Sequence, residues 1–364
     1  MMTAYDTSGQ KYELTETNHC GGEGTLYQAA KMPTLYAKIF KQEKRTRGRE
    51  AKIREWERML RDGELGESFC EQVIVPQRCL YARADLQNKD TFVGYTMKKL
   101  TGFQTLAEIV TKDSFTYPQK VHTAANLAIL TNAVHTQRRK IVIGDYNFDN
   151  VAIFTTRNEN CRAALMDVDS FQIYAMAGGR QRLCCCSVGT DAFLAPEITR
   201  TLKKNKTNLE QLSTDGIQVF NQDTDNYALA VHIFGLLMGG FKPFASAADP
   251  EELAYHPSKN ISSIDIDQNR AAEKGEFIFE KKIFLRKPPE LAPSYNILTP
   301  ELKDLFHRAF VEGARDPTNR PHAEQYYNEL ISYRNQLERR PCGHYMPEYY
   351  KGPCEWCRIQ SLKR

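Results

Sequence analysis

The chain has 364 residues, 41% of them hydrophobic and 26% charged, enough for a core built in two lobes rather than one small domain. Lysines and arginines number 49 against 45 acids, so the charge gives no nucleic-acid-coating surface; the basic clusters Arg138–Lys140 and Lys203–Lys206 read as solvated faces. No apolar run approaches the roughly 18 residues of a membrane span, no export-signal pattern opens the chain, and ten cysteines then fit a reducing cytoplasm.

In chain order, Lys11–Asn18, Gly24–Ala30 and Thr34–Phe40 alternate as strands, the last sending Leu35, Ala37 and Ile39 to one face and Tyr36, Lys38 and Phe40 to the other. The spacing predicts a helix over Arg47–Arg61, with Ile53, Trp56, Met59 and Leu60 as its apolar stripe. Val73–Arg83 and Thr91–Lys98 read as further strands. After Thr101-Gly102 the pattern turns helical: Tyr117–Thr136 is amphipathic, and Asp223–Met238 is apolar nearly all round, as in a helix buried at a domain centre. Thr299–Phe310 opens with a cap and a proline at the first helical position, and Pro321–Arg339 is the last long helix. A strand-rich first part and a larger helical second part make an α+β, two-lobed arrangement.

Four segments carry chemistry. His19–Tyr27 holds Gly21, Gly22 and Gly24 between two strands, where backbone amides can approach phosphates; a glycine-rich hairpin turn is the bland alternative. Lys38, fourteen residues after Gly24, sits mid-strand between Tyr36 and Phe40, so its ammonium needs a specific partner. Asp145 and Asn150, five residues apart on a loop before the strand Val151–Phe154, can place a base and a metal ligand around one phosphate. Leu165-Met-Asp-Val-Asp169 is an apolar strand ending in carboxylates, the oxygen donors that magnesium prefers.

In this order and at these separations, the segments resemble the protein kinase signature set, from about residue 11 to residue 340. Val188–Glu197 matches the stretch ending in Ala-Pro-Glu, and Thr224–Ala230 with Gly239–Phe244 resembles the central helix and the Gly-x-x-Pro-Phe segment after it. Arg320 matches the arginine that pairs with Glu197, and Asp225 falls within the central helix as a structural residue. Gly-Asp-x-Asn-x-x-Asn, the Asp-Val-Asp motif and a terminal Cys-x-x-Cys resemble bacterial kinases found beside von Willebrand A proteins and PPM-type phosphatases. The resemblance implies a small β-rich lobe over residues 1–98, a hinge at 99–102, a helical lobe over 103–340 and a Cys/His tail over 341–364. It implies a cytoplasmic Ser/Thr protein kinase using ATP and Mg2+ (or Mn2+), acting on a protein substrate and possessing neither a nucleic-acid nor a membrane partner. By the same resemblance Lys38 holds the α- and β-phosphates, paired with Glu50 or, alternatively, Glu55. Asp145 accepts or orients the proton of the substrate hydroxyl, Asn150 and Asp167 ligate magnesium, Met97 guards the adenine pocket, and Lys98–Leu100 form the adenine-binding hinge.

Departures from the pattern are specific. His19 replaces the first glycine, and Gly144 replaces the arginine beside the catalytic aspartate. Asn147 replaces a lysine, offering the transferring phosphate a dipole instead of a charge. Asp169 replaces a glycine and is either a second metal ligand or a capping carboxylate. Lacking that arginine, the chain has no receptor for an activating phosphate, so phosphorylation of Ser170, Ser187 or Thr190 is expected to be unnecessary for basal activity. The rival readings are a nucleotide-binding pseudokinase scaffold and a tail that serves as a docking module. In the tail, Cys342, His344, Cys354 and Cys357 offer three thiolates and an imidazole, a donor set suited to structural Zn2+.

Overall fold

The computed structural model describes residues 2–83, 91–111, 115–155, 161–177, 179–256, 264 and 266–363. Its first part is a closed six-stranded barrel of β1 (Met2–Tyr5), β2 (Lys11–Cys20), β3 (Gly24–Ala29), β4 (Leu35–Phe40), β5 (Arg78–Tyr81) and β6 (Phe92–Lys98), in the order β1-β2-β3-β4-β6-β5. Alternation explains the barrel: Tyr12, Leu14, Ala29, Ala37, Ile39, Leu80 and Val93 point inward to one small core. The opposite face, with Phe40, Cys79, Phe92 and Tyr95, packs on Ile53 of α1 (Arg47–Arg61), whose start is capped by Thr46 accepting from the Arg49 amide.

Short helix α2 (Glu67–Gln72) leads to β5, and the expected strand over Val73–Arg83 is shorter than its composition suggests. Arg78–Tyr81 forms the strand, flanked by backbone bonds from Gln77 to Thr96 and from Ala82 to Thr91, while Val73, before the donorless Pro76, forms a parallel bridge to Leu165. Past β6, the sheet β7 (Gln104–Thr105), β8 (Val151–Thr155) and β9 (Cys161–Leu165) packs against α2, α3 (Leu106–Thr111) and α4 (Tyr117–His135), and α5 (Pro196–Asn205), α6 (Leu209–Thr214) and α7 (Gln222–Leu237) follow. The hairpin β10 (Ile173–Ala177) and β11 (Arg180–Cys184) lies against α1. Helices α8 (Pro250–Ala254), α9 (Gln268–Lys274), α10 (Pro300–His307) and α11 (Ala323–Asn335) complete the helical part. Every residue of α7 from Thr224 to Leu237 is buried, as its apolar circumference predicts. Helix α4 is wrapped by α7, α11 and β9, so its burial extends beyond the single stripe expected of an amphipathic helix. The last long helix is shorter than Pro321–Arg339: Leu337–Arg339 leaves it to pair with Tyr345–Pro347 in the tail. Helix α12 (Glu355–Leu362) ends the chain's described part. No helix among the described residues is long and apolar enough to cross a membrane.

Candidate active site and candidate metal centre

A cavity of about 700 Å³ opens between the barrel and the helical part. Gly21, Gly22 and Gly24 roof it; Met97, Lys98 and Leu100 stand at one wall; Lys38, Asp145, Asn150 and Asp167 line its inner end. Gly22 has open space where a side chain would be, and a Cβ on Gly21 would meet only the Gly24 carbonyl, at 3.7 Å. Gly24 is different: an added Cβ would lie 2.4 Å from the Ile39 carbonyl, so β3–β4 packing requires that glycine.

The loop carrying Asp145 is suspended from α7. Asp225, fully buried there, accepts from the Ile143 and Gly144 amides at 2.8 and 2.9 Å and meets His135 Nε2 at 3.0 Å. Gly144 has φ +77°, and a Cβ on it would lie 2.7 Å from Cys186 Sγ. Both facts explain why the arginine of the kinase pattern has no room here. Asp145 Oδ1 accepts from Thr190 Oγ1 at 3.1 Å and Asn147 Nδ2 at 3.0 Å, and Asn150 Nδ2 donates to the Asp145 carbonyl at 2.9 Å.

Three expectations need correction. Asn147 does not face the cavity: its Nδ2 serves Asp145 and Thr190, while its Oδ1 accepts from the Asp149 and Asn150 amides. It shapes the loop instead of offering a dipole to a phosphate. Glu50 does not reach Lys38, because its carboxylate accepts from Tyr81 Oη at 2.8 Å and pairs with Arg54 at 3.1 Å. Glu55 is also committed elsewhere, to Arg58 at 2.8 Å and Arg139 at 3.3 Å. Finally, Asp169 is not placed as a metal ligand: its side chain is 0% exposed and lies behind Lys38, not on the cavity wall.

Lys38 is bound by Asp167 and, at 2.8 Å, by Asp169. Burial by itself would lower the lysine's pKa, but the two carboxylates, Asp169 first, reverse this and raise it, so the ammonium is held charged. Burial raises Asp167, reinforced by the neighbouring Asp169 charge; Asp169 is lowered against its own burial by Lys38. Asp167 takes a left-handed backbone (φ 56°), which turns the chain so that its carboxylate faces the cavity while Asp169 tucks inward.

Several contributors escaped the sequence reading. Tyr95 Oη donates to Asp169 at 2.6 Å; its burial on β6 was the only available signal, since a buried phenol needs a partner. Lys52 on α1, buried, donates to the Asp169 and Cys185 carbonyls at 3.2 Å each. Arg49 on the same helix pairs with Glu23 of the glycine-rich turn. Of the structural residues, Arg320 makes a bidentate pair with Glu197 at 2.7 Å and also donates to the Asp223 and Gly313 carbonyls.

In the tail, the ligand atoms of Cys342, His344, Cys354 and Cys357 all lie within 4.8 Å of one another. Zinc with sulfur at about 2.3 Å and nitrogen at about 2.0 Å requires ligand spacings of roughly 3.6–3.8 Å. The Cys354 and Cys357 sulfurs stand 3.6 and 3.3 Å from His344 Nδ1, near those spacings, and three thiolates with one imidazole make a donor set compatible with one zinc ion. The one-residue spacer Gly343 reaches this geometry through φ +86°. The His344 backbone amide lowers the Cys342 thiol to about 6, and bonding to Cys342 pushes Cys357 up to about 11. The segment is not frayed: Trp356 packs on Tyr117 with ring centres 4.9 Å apart and donates to the Tyr345 carbonyl.

No protein-family model matches the chain. It is 26% identical over 278 residues to a protein kinase, YegI, of Escherichia coli strain K12, and 26% identical over 279 residues to the YegI protein kinase of Escherichia coli O157:H7. Each match covers 74% of this chain and 38% of the relative, so the chain spans well under half the length of these curated relatives. The likeness supports a relationship to protein kinases.

Proposed function

We propose that this chain is a protein kinase that transfers the γ-phosphate of ATP, with Mg2+, to serine or threonine hydroxyls of a protein substrate. The observation that carries the reading is the convergence of Lys38, Asp145, Asn150 and Asp167 on one cavity beneath a glycine-rich turn. In this reading residues 1–98 and 103–340 are the two lobes of a kinase-like fold, and 99–102 is the hinge against which adenine lies. Lys38 holds the phosphates, and Asp145 orients the substrate hydroxyl and takes its proton; Thr190 and Asn147 fix the Asp145 carboxylate. Asn150 and Asp167 offer the oxygen ligands that magnesium takes, and the ion, when bound, neutralises phosphate charge. Zn2+ at Cys342, His344, Cys354 and Cys357 fastens the 341–364 tail, with four protein ligands leaving no open position for catalysis. A cytoplasmic setting keeps those thiolates reduced. Partnership with a von Willebrand A protein and a PPM-type phosphatase belongs to the same proposal, tested by co-purification.

The deciding experiment compares the chain with Asp145→Asn. Transfer to protein should fall about 10²–10⁴-fold, the usual worth of a positioned acid–base group, with nucleotide affinity nearly unchanged. Equal turnover of the two, in preparations free of contaminating kinase, defeats the assignment. The scaffold reading draws on Asn147, a neutral group where kinases carry a lysine; it predicts nucleotide binding with no transfer by either protein.

A further inference from the structure

Resting on the kinase reading, the structure moves the lysine's counter-ion from helix α1 to the segment that also bears the metal-binding carboxylate. Lys38 on β4 and Tyr95 on β6 are direct cross-strand partners, and their polar tips meet on a single oxygen, Asp169 Oδ1, at 2.8 and 2.6 Å. That carboxylate is wholly buried, whereas the Asp167 side chain, 36% exposed, stands on the cavity wall. Helix α1 turns cations toward this place, not acids. Lys52 grips the Asp169 backbone carbonyl, and both glutamates that could have served, Glu50 and Glu55, are bonded on other faces.

We infer that Asp169, held by Tyr95, is the positioning residue for Lys38, and that it leaves Asp167 available to metal. The physical reason is competition. Lys38 touches both carboxylates, and a cation must neutralise one of them in this buried setting. With Asp169 present the lysine has a permanent partner away from the cavity. Without it, Asp167 is the remaining anion in contact, and the ammonium and the metal compete for the same carboxylate. The arrangement is built into one turn after β9 together with two barrel strands, so it does not require α1 to swing into place.

The test measures Mg2+-dependent ATP binding and phosphoryl transfer with the full chain and three variants. Asp169→Asn should lower transfer on the order of 10²-fold, the scale of a misplaced group beside the chemistry. It should also raise the Mg2+ concentration for half-saturation on the order of tenfold, a coupling between sites that mere loosening of the fold does not produce. Tyr95→Phe should move both quantities the same way by a smaller factor, and Glu50→Gln should move neither. A folded Asp169→Asn protein with wild-type Mg2+ dependence overturns the inference and leaves the kinase reading standing; so does a Glu50→Gln protein impaired as deeply as Asp169→Asn. Should Asp169→Asn lack a cooperative melting transition, Tyr95→Phe decides, and an unchanged Mg2+ requirement there overturns the inference. Wild-type protein that neither binds Mg-ATP nor transfers phosphate overturns the kinase reading and this inference with it.

Discussion

Acid should weaken the floor of the candidate site through one histidine. His232 lies on α7, fully buried, its ring 4.3 Å from Tyr146, 5.0 Å from Phe148 and 4.9 Å from Phe193 between ring centres. Tyr146 and Phe148 belong to the loop bearing Asp145, so the ring supports that loop from beneath. Burial lowers its pKa from 6.5 to about 4, against the opposing hydrogen bonds to backbone carbonyls. Between these values the unfolded chain binds a proton that the folded chain refuses, so stability rises with pH through the window and is lost as pH falls. At about 1.4 kcal/mol per pH unit, the gap amounts to about 3 kcal/mol, of which about 2.5 is lost by pH 4.5. His232→Phe keeps an aromatic ring and removes the titration. It also removes the bond from Nδ1 to the Ala228 carbonyl (2.6 Å), the carbonyl one helical turn earlier that already serves the helix. Urea unfolding of both proteins at pH 7.5 and 4.5 cancels the acid sensitivity they share. The wild type should lose about 2.5 kcal/mol more than the variant on going to pH 4.5; a difference constant to within about 0.5 kcal/mol refutes the reasoning.

Elemental analysis of chain purified without a metal-affinity tag should find about one zinc per chain, lost in Cys354→Ser/Cys357→Ser; sub-stoichiometric metal in the wild type contradicts the site. Arg320→Met leaves Glu197 without its partner and should cost about 3–5 kcal/mol, read as a lowered denaturation midpoint; a change under about 1 kcal/mol would mean the pair is not structural. Phosphatase-treated protein should keep its basal activity, because Gly144 offers no cation to a phosphate and Thr190 Oγ1 is already bonded to Asp145. Loss of activity on that treatment, restored by rephosphorylation at Ser187 or Thr190, contradicts this.

The sequence made the candidate site legible where chemistry demanded a residue type in a fixed order. A mid-strand lysine flanked by Tyr36 and Phe40 needed a specific partner; the kinase resemblance put that partner on α1, at Glu50 or Glu55, and the structure pairs it with Asp167 and Asp169. The burial of α7 was equally plain, since no face of it is polar over Asp223–Met238. What stayed hidden depended on rotation and distance. Glu50, Lys52 and Ile53 lie within one turn of α1, and each residue along a helix turns it by about 100°, so periodicity alone cannot say which of them meets Lys38. The contact that decides the matter joins residues 131 apart. Tyr95 read only as core, and Asn147 kept the position of a catalytic lysine while its hydrogen bonds went to its own loop and to Thr190.

Two departures from the kinase pattern become one when their charges are counted together. An aspartate where the pattern has glycine would by itself bury an uncompensated anion beside Asp167, at a cost of several kcal/mol. An α1 acid reaching the same lysine would add a third negative charge to the pocket. Here the helix brings Arg49 and Lys52, whose charges act on Asp169, and its acids turn to Tyr81 and Arg58. Arg49 further neutralises Glu23, an acid on the glycine-rich turn that would otherwise repel phosphate. The second aspartate and a helix face carrying cations in place of acids therefore complement each other in charge. Restoring a glycine at 169 alone should strand Lys38 on Asp167, and adding an acid to α1 alone should crowd the pocket with anions; only a simultaneous exchange keeps the charge around the lysine balanced.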